Sequence, residues 1–343
     1  MIGILKGLTP VLDANAEFYW RFSYAHGFIK RGLLGTLFQP LLWLFSFDQL
    51  KPAIVAAHVT VCLGIIVLFQ RLFASTIRRE PRTDSRGVLV LAFLCLMSTE
   101  LLPVLAHDTG NADAWLIGLT LAGFWLVLDA RYRTAAFIAI AGPLVHEGFV
   151  FLWSPVAILL VWSVVSRAAG GGRFDERSAP AGRRDRTGAW RLAIAVAPVL
   201  VAMLVTRAHS AAAVAQLMAA WPASDAIKSG HQVYTFGQTL QSSFAHMRDF
   251  EFRGHWDNFA TAVSFFMAPN LLLIWAAGFC FWRRWTLPLP TLLVALAAMM
   301  APLAVVIIGW DLSRFLCWST VAAGIALVGV GSQTFVSMRE TGV

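Results

Sequence analysis

The sequence predicts an all-α fold: a polytopic bundle of about nine to ten transmembrane helices with one sizeable extracytoplasmic loop. Three observations carry this. Hydrophobic residues make up 58% of the chain and charged residues only 13%, about half of what a soluble domain uses to cover its surface. The mean hydropathy is +0.68. The charges gather in short stretches between apolar runs long enough, or nearly so, to cross a hydrocarbon core ~30 Å thick.

The runs fall near 52–74, 87–106, 113–130, 134–166, 191–207, 259–282, 286–309 and 314–334. The stretch 134–166 is too long for one helix, and Gly142, Pro143 and Gly148 predict a break that divides it in two. A shorter apolar piece at 32–47, with Gly32, Gly35 and Pro40, fits a short span, a re-entrant hairpin or an interfacial helix. Asp113, just before a helix, reads as its N-cap. All 343 residues form one membrane domain. Within it, 167–190 is rich in Gly, Arg and Ala and reads as a flexible linker. The 208–258 loop carries Trp221, Tyr234, Phe236, Phe244, Phe250, Phe252 and Trp256, and is expected to fold against the membrane surface.

Orientation follows from the arginines. Arg78, Arg79, Arg82 and Arg86 lie in one loop, Arg131 and Arg133 in a tight turn, and Arg283 and Arg284 in another. The 167–191 segment adds Arg167, Arg173, Arg177, Arg183, Arg184, Arg186 and Arg191. The alternate loops hold only Lys228, Arg248 and Arg253. This asymmetry predicts that the arginine-rich side and the C-terminus are cytoplasmic, in a bacterial inner membrane. It also requires the split of 134–166, since both ends of that stretch belong on the same side.

Ionisable groups in or beside spans are costly, so each poses a functional question. Glu100, His107 and Asp108 share one helical face near an outer mouth. His146 and Glu147 occupy the break in 134–166. Asp311 and Arg314 lie in a short outer turn at i, i+3 spacing. Asp13, Glu17, Arg21, His26, Lys30 and Arg31 form a polar stretch before 32–47. The topology drawn from other residues gathers all of these at the outer level, which suggests a polar cavity opening outward. Each has a plainer reading as well. Asp311 and Arg314 can form a local cap or ion pair, Glu100 a packing pair, and His107 with Asp108 a solvated loop.

Several functions are excluded. No stripe of basic residues with interleaved aromatics lies on a soluble module, so no nucleic-acid partner is expected. Cys62, Cys95, Cys280 and Cys317 stand alone in apolar runs and read as small buried hydrophobes. No GxSxG, Walker A or dinucleotide fingerprint occurs. His107, Asp108, His146 and Glu147 have the ligand chemistry for a divalent cation, but no metal-site spacing connects them, and no metal ligands are assigned.

An outward cavity with carboxylates in its first loops resembles the polytopic glycosyltransferases of the GT-C superfamily. FIKRGLLG at 28–35, LVHEGF at 144–149 and WDLSR at 310–314 are also similar to bacterial polysaccharide polymerases of the O-antigen type. The resemblance implies a polyprenyl-phosphate-linked sugar donor and a glycan or lipid acceptor, used at the extracytoplasmic face for cell-envelope polysaccharide biosynthesis. Asp13 (or Glu17) and Asp108 would match the family's acidic residues after the first and third spans, although only twelve residues precede Asp13. Asp108, Glu147, His146 and Asp13 are then the candidates for acid–base chemistry on the acceptor hydroxyl. Arg314, Arg31 and Lys30 would hold the lipid phosphate, with Asp311, His107 and Glu100 beside the substrate. Two other classes stay open. One is a transporter or flippase for a lipid-linked or anionic solute, favoured by broken helices near charge. The other is a structural subunit without chemistry.

Overall fold

The apolar chain folds into helices that keep several prolines in their interiors, and the carbonyls released by Pro155 and Pro198 are bonded by side chains. This computed structural model describes residues 16–21, 23–26, 31–79, 101, 110–168, 181–208, 210, 212, 289–307 and 317–329, and every regular element among them is helical. Helix α1 (Ala16–Arg21) and a 3-10 turn (Tyr24–His26) lead into α2 (Leu33–Leu42). Helices α3 (Phe47–Arg79), α4 (Ala112–Leu128), α5 (Tyr132–Val145), α6 (Phe149–Ala168) and α7 (Ala181–Ala208) come next. Helix α8 (Leu289–Met300) runs into a 3-10 stretch (Ala301–Ile307), and α9 is Cys317–Gly329. The expected spans 87–106 (Leu101 aside) and 259–282, and nearly all of the 208–258 loop, lie outside the described residues.

Three of these helices are long and apolar enough to cross a membrane, over Phe47–Ser75, Phe149–Ser166 and Thr187–Ala208. Their surfaces show which solvent they are built for. In α5 the buried residues are Ala135, Ala139, Gly142, Pro143 and Val145, small ones along most of its length, while Phe137 is 71% exposed and Ile140 also faces out. In α7, Met203 and Leu204 point outward in the same way. A helix in water would reverse that order. Small residues inward let helices approach closely, and large apolar residues outward suit lipid tails, so the chain is a membrane protein.

Helix α4 packs between α3 and α5, α7 lies across both α5 and α6, and α8 with its 3-10 extension lies on α6. Helix α9 is enclosed along its length: from Cys317 to Gly329 only Leu327 is not buried, and Ser319 and Thr320 are buried with the apolar residues. The closest approaches are made at glycines. A Cβ at Gly324 would reach the Phe69 ring of α3 at 2.9 Å, and one at Gly329 would reach Leu159 of α6 at 2.6 Å.

A proline inside a helix lacks the N–H that would bond the carbonyl four residues earlier, and in hydrocarbon that carbonyl has no water to turn to. Pro155 releases the Phe151 carbonyl in this way, and the Ser154 hydroxyl donates to it at 2.5 Å. Pro198 releases the Ile194 carbonyl of α7, and the buried Trp153 indole N–H of α6 donates to it at 3.2 Å. The second bond crosses between helices and ties α6 to α7.

The predicted break in 134–166 is present, between Val145 and Phe149. Two expectations are corrected. The residue at the N-cap of α4 is Asn111, and Asp113 sits in the first turn, buried; an acidic residue there still suits the positive end of the helix dipole. Helix α7 begins at Ala181, inside the stretch read as linker, of which residues 169–180 lie outside the described residues.

Candidate functional site

The break between α5 and α6 exists because Pro143 and Gly142 weaken the last turn of α5 and Gly148 keeps the helix from resuming before Phe149. A Cβ at Gly142 would overlap the Phe149 ring, and one at Gly148 would meet Trp318 of α9 at 2.8 Å and His146 Nδ1 at 3.0 Å. The two glycines therefore let the chain turn back on itself against α9. His146, which ends α5 in an extended conformation, and Glu147 are left projecting from the bend.

Glu147 is bound by Arg31. Arg31 Nε donates to both carboxylate oxygens, at 3.1 and 2.9 Å, and Nη2 donates to Oε1 at 2.5 Å. The side chains are 11% and 25% exposed respectively, so this charged pair is largely withdrawn from solvent. Arg31 has φ 68°, the left-handed region, which costs a residue with a Cβ about 1–2 kcal/mol. The strain sits at the entry to α2, where the chain turns to deliver the guanidinium onto Glu147.

His146 Nδ1 accepts the Gly148 backbone N–H at 2.9 Å. The same Nδ1 lies 3.6 Å from Glu147 Oε2. The Tyr19 ring of α1 lies 6.0 Å from the imidazole, centroid to centroid.

Tyr24 joins the start of α2 to the end of α5. Tyr24 N–H donates to Thr36 Oγ1 at 2.8 Å, and its hydroxyl donates to the Leu144 carbonyl at 3.4 Å, one residue before α5 ends. Burial pushes the Tyr24 phenol up to about 12, so it remains a neutral donor across the physiological range. The Trp20 indole donates to the Gly110 carbonyl at 2.9 Å and packs edge-on against Phe38 and Trp115. Gly110, at φ 89°, also donates its N–H to His58 Nδ1 at 3.1 Å. Both polar groups of this glycine are thus held, which anchors the start of α4 to α1 and α3.

Of the residues singled out from the sequence, Arg31, His146 and Glu147 come together here. Asp13, Lys30, Glu100, His107, Asp108, Asp311 and Arg314 lie outside the described residues. Of the four residues with ligand chemistry for a divalent cation only His146 and Glu147 are described, and no group of three His, Cys, Asp or Glu gathers among the described residues. Sequence reasoning missed Tyr19, Trp20, Tyr24, His58 and Trp318. His58 offered one signal, a lone imidazole inside a long apolar helix. Tyr19, Trp20 and Tyr24 offered only the crowding of aromatics around 18–24, and Trp318 offered none.

No family model, curated protein or solved structure matches this chain.

Proposed function

We propose that the protein is an integral membrane glycosyltransferase or polysaccharide polymerase that takes its sugar from a polyprenyl-phosphate-linked donor at the extracytoplasmic face of a bacterial inner membrane. The observation that supports this best is the Arg31–Glu147 pair at the helix break, beside His146. A planar guanidinium binds phosphate as it binds carboxylate, through two parallel N–H bonds. A donor phosphate arriving at Arg31 displaces Glu147 from the fork, and the released carboxylate becomes available as a base. The acceptor hydroxyl then attacks the anomeric carbon with inversion, giving its proton to Glu147 or Asp108. The bond from that carbon to the phosphate oxygen breaks, and the departing phosphate keeps the electron pair, held by Arg31 with Lys30 and Arg314. Exchange of one partner at Arg31 thus couples donor binding to activation of the base.

The position of the pair counts against a transporter. Glu147 stands at the joint between two helix ends, at one level of the bundle, whereas transport sites favour the midplane between related halves. The test is a deletion strain and a purified protein together. Loss of the gene should accumulate lipid-linked glycan, and Arg31→Lys, which keeps the charge but not the fork, should transfer sugar at least tenfold more slowly than the parent. A folded Arg31→Lys protein with full transfer activity sinks the phosphate role. Orientation is tested separately: labelling of Ser178→Cys by an impermeant thiol reagent from outside would invert the arrangement.

A further inference from the structure

A second polar cluster lies where α5, α6 and α7 meet, at the opposite ends of α5 and α6 from Glu147. Arg191 Nε and Nη2 donate to the Tyr132 hydroxyl at 3.3 and 3.1 Å, and Nη1 donates to Ser163 Oγ at 3.3 Å. Ser163 gives its own proton to the Leu160 carbonyl at 2.7 Å. The guanidinium carbon lies 5.8 Å from the centroid of the Tyr132 ring. A guanidinium has five N–H donors. Three are spent on neutral hydroxyl oxygens, and among the described residues no carboxylate pairs with Arg191. Asp129, in the adjoining turn, is already engaged by Arg131 at 3.0 Å. Two N–H donors of Arg191, the Tyr132 hydroxyl proton and one positive charge therefore converge with no acceptor among the described residues.

The location says what would supply one. Arg191 lies four residues into the apolar span Thr187–Ala208, about 6 Å along its axis, near the level where lipid phosphates meet hydrocarbon. Its neighbours Trp190 and Leu192 are exposed apolar residues on the outer surface, and Arg133, next to Tyr132, is exposed as well. We propose that this three-helix junction binds the phosphate of an anionic membrane phospholipid. Arg191 and the Tyr132 hydroxyl donate to the phosphate oxygens, Arg133 adds charge at the rim, and Trp190 and Leu192 lie along the acyl chains. The exposed apolar flank favours a lipid over free phosphate, which would gain nothing from it. The proposal does not depend on the transfer reaction.

The experiment titrates the purified full chain with phosphatidylglycerol, phosphatidylcholine or inorganic phosphate and follows thermal unfolding. Phosphatidylglycerol should raise the melting temperature saturably, and the other two should not. Arg191→Gln and Tyr132→Phe should each weaken the apparent lipid affinity about fivefold, from ~1 kcal/mol per lost headgroup contact. Arg191→Lys, with charge but no fork, should fall between them and the parent. Equal stabilisation by inorganic phosphate overturns the lipid assignment. Unchanged phosphatidylglycerol affinity in Tyr132→Phe, which keeps the ring and its packing, overturns the site even if Arg191→Gln fails to fold.

Discussion

The Arg31–Glu147 pair makes a quantitative prediction about coupling. Breaking one partner of a fully buried ion pair costs about 3–5 kcal/mol, whereas exposed pairs contribute about 0–1 kcal/mol. With side chains 11% and 25% exposed and three N–H···O contacts, this pair belongs between those limits, nearer the buried one. Arg31→Met and Glu147→Leu should each destabilise by about 2–3 kcal/mol, because each takes the contacts of this pair from a charge withdrawn from water. The double variant leaves neither charge behind. Its loss should be no greater than that of a single variant, giving a coupling of about 2 kcal/mol or more. The assay is equilibrium unfolding of the four proteins in one detergent, with retained helical circular dichroism as the control for folding. Single losses that simply add in the double variant would refute the reasoning, since additivity means the two charges do not depend on each other. The backbone supplies an internal check. Arg31→Gly and Arg31→Ala both delete the pair, but only glycine relieves the φ of 68°, so the glycine variant should be more stable by about 1 kcal/mol.

Two further outcomes test the packing around the site. Gly148→Ala forces a Cβ against Trp318 and His146 and should lower stability by about 1–3 kcal/mol, whereas Gly64→Ala, with nothing within 4 Å, should be neutral or raise it by up to about 1 kcal/mol; thermal unfolding distinguishes them. Trp153→Phe removes the donor from the Ile194 carbonyl and should cost about 1–2 kcal/mol in the parent but less beside Pro198→Ala, where residue 198 regains an N–H; equal costs in both backgrounds would contradict the bond.

The break in 134–166 is legible in the sequence because its causes are local. A run of apolar residues too long for one span, interrupted by Gly142, Pro143 and Gly148, has few other ways to fold in a membrane. The placement of His146 and Glu147 at that joint comes from the same residues. Composition misleads at the linker: few large apolar residues in 181–190 suggest coil, yet α7 starts at Ala181, a turn and a half before its apolar span begins at Thr187. The choice between Asp113 and Asn111 as cap turns on a two-residue shift that periodicity does not resolve. The partnership of Arg31 with Glu147 is not legible at all. The sequence places both residues at the outer level, as phosphate ligand and as base, but nothing in either neighbourhood encodes a contact across 116 positions of chain.

The prolines show where that boundary runs. Pro155 and Pro198 each announce in the sequence that one carbonyl, four residues earlier, needs a donor inside the membrane. For Pro155 the donor is adjacent, Ser154, and the sequence alone is enough to name it. For Pro198 the donor is Trp153, 41 positions before Ile194 and on another helix, and only the packing of α6 against α7 brings it there. The same distinction governs charge. That Arg31 and Glu147 need compensation follows from their placement beside apolar spans. That each compensates the other depends on the left-handed turn before α2 and on the bend that two glycines permit at the end of α5. Local chemistry therefore states which groups need a partner, and the long-range packing of the helices selects it.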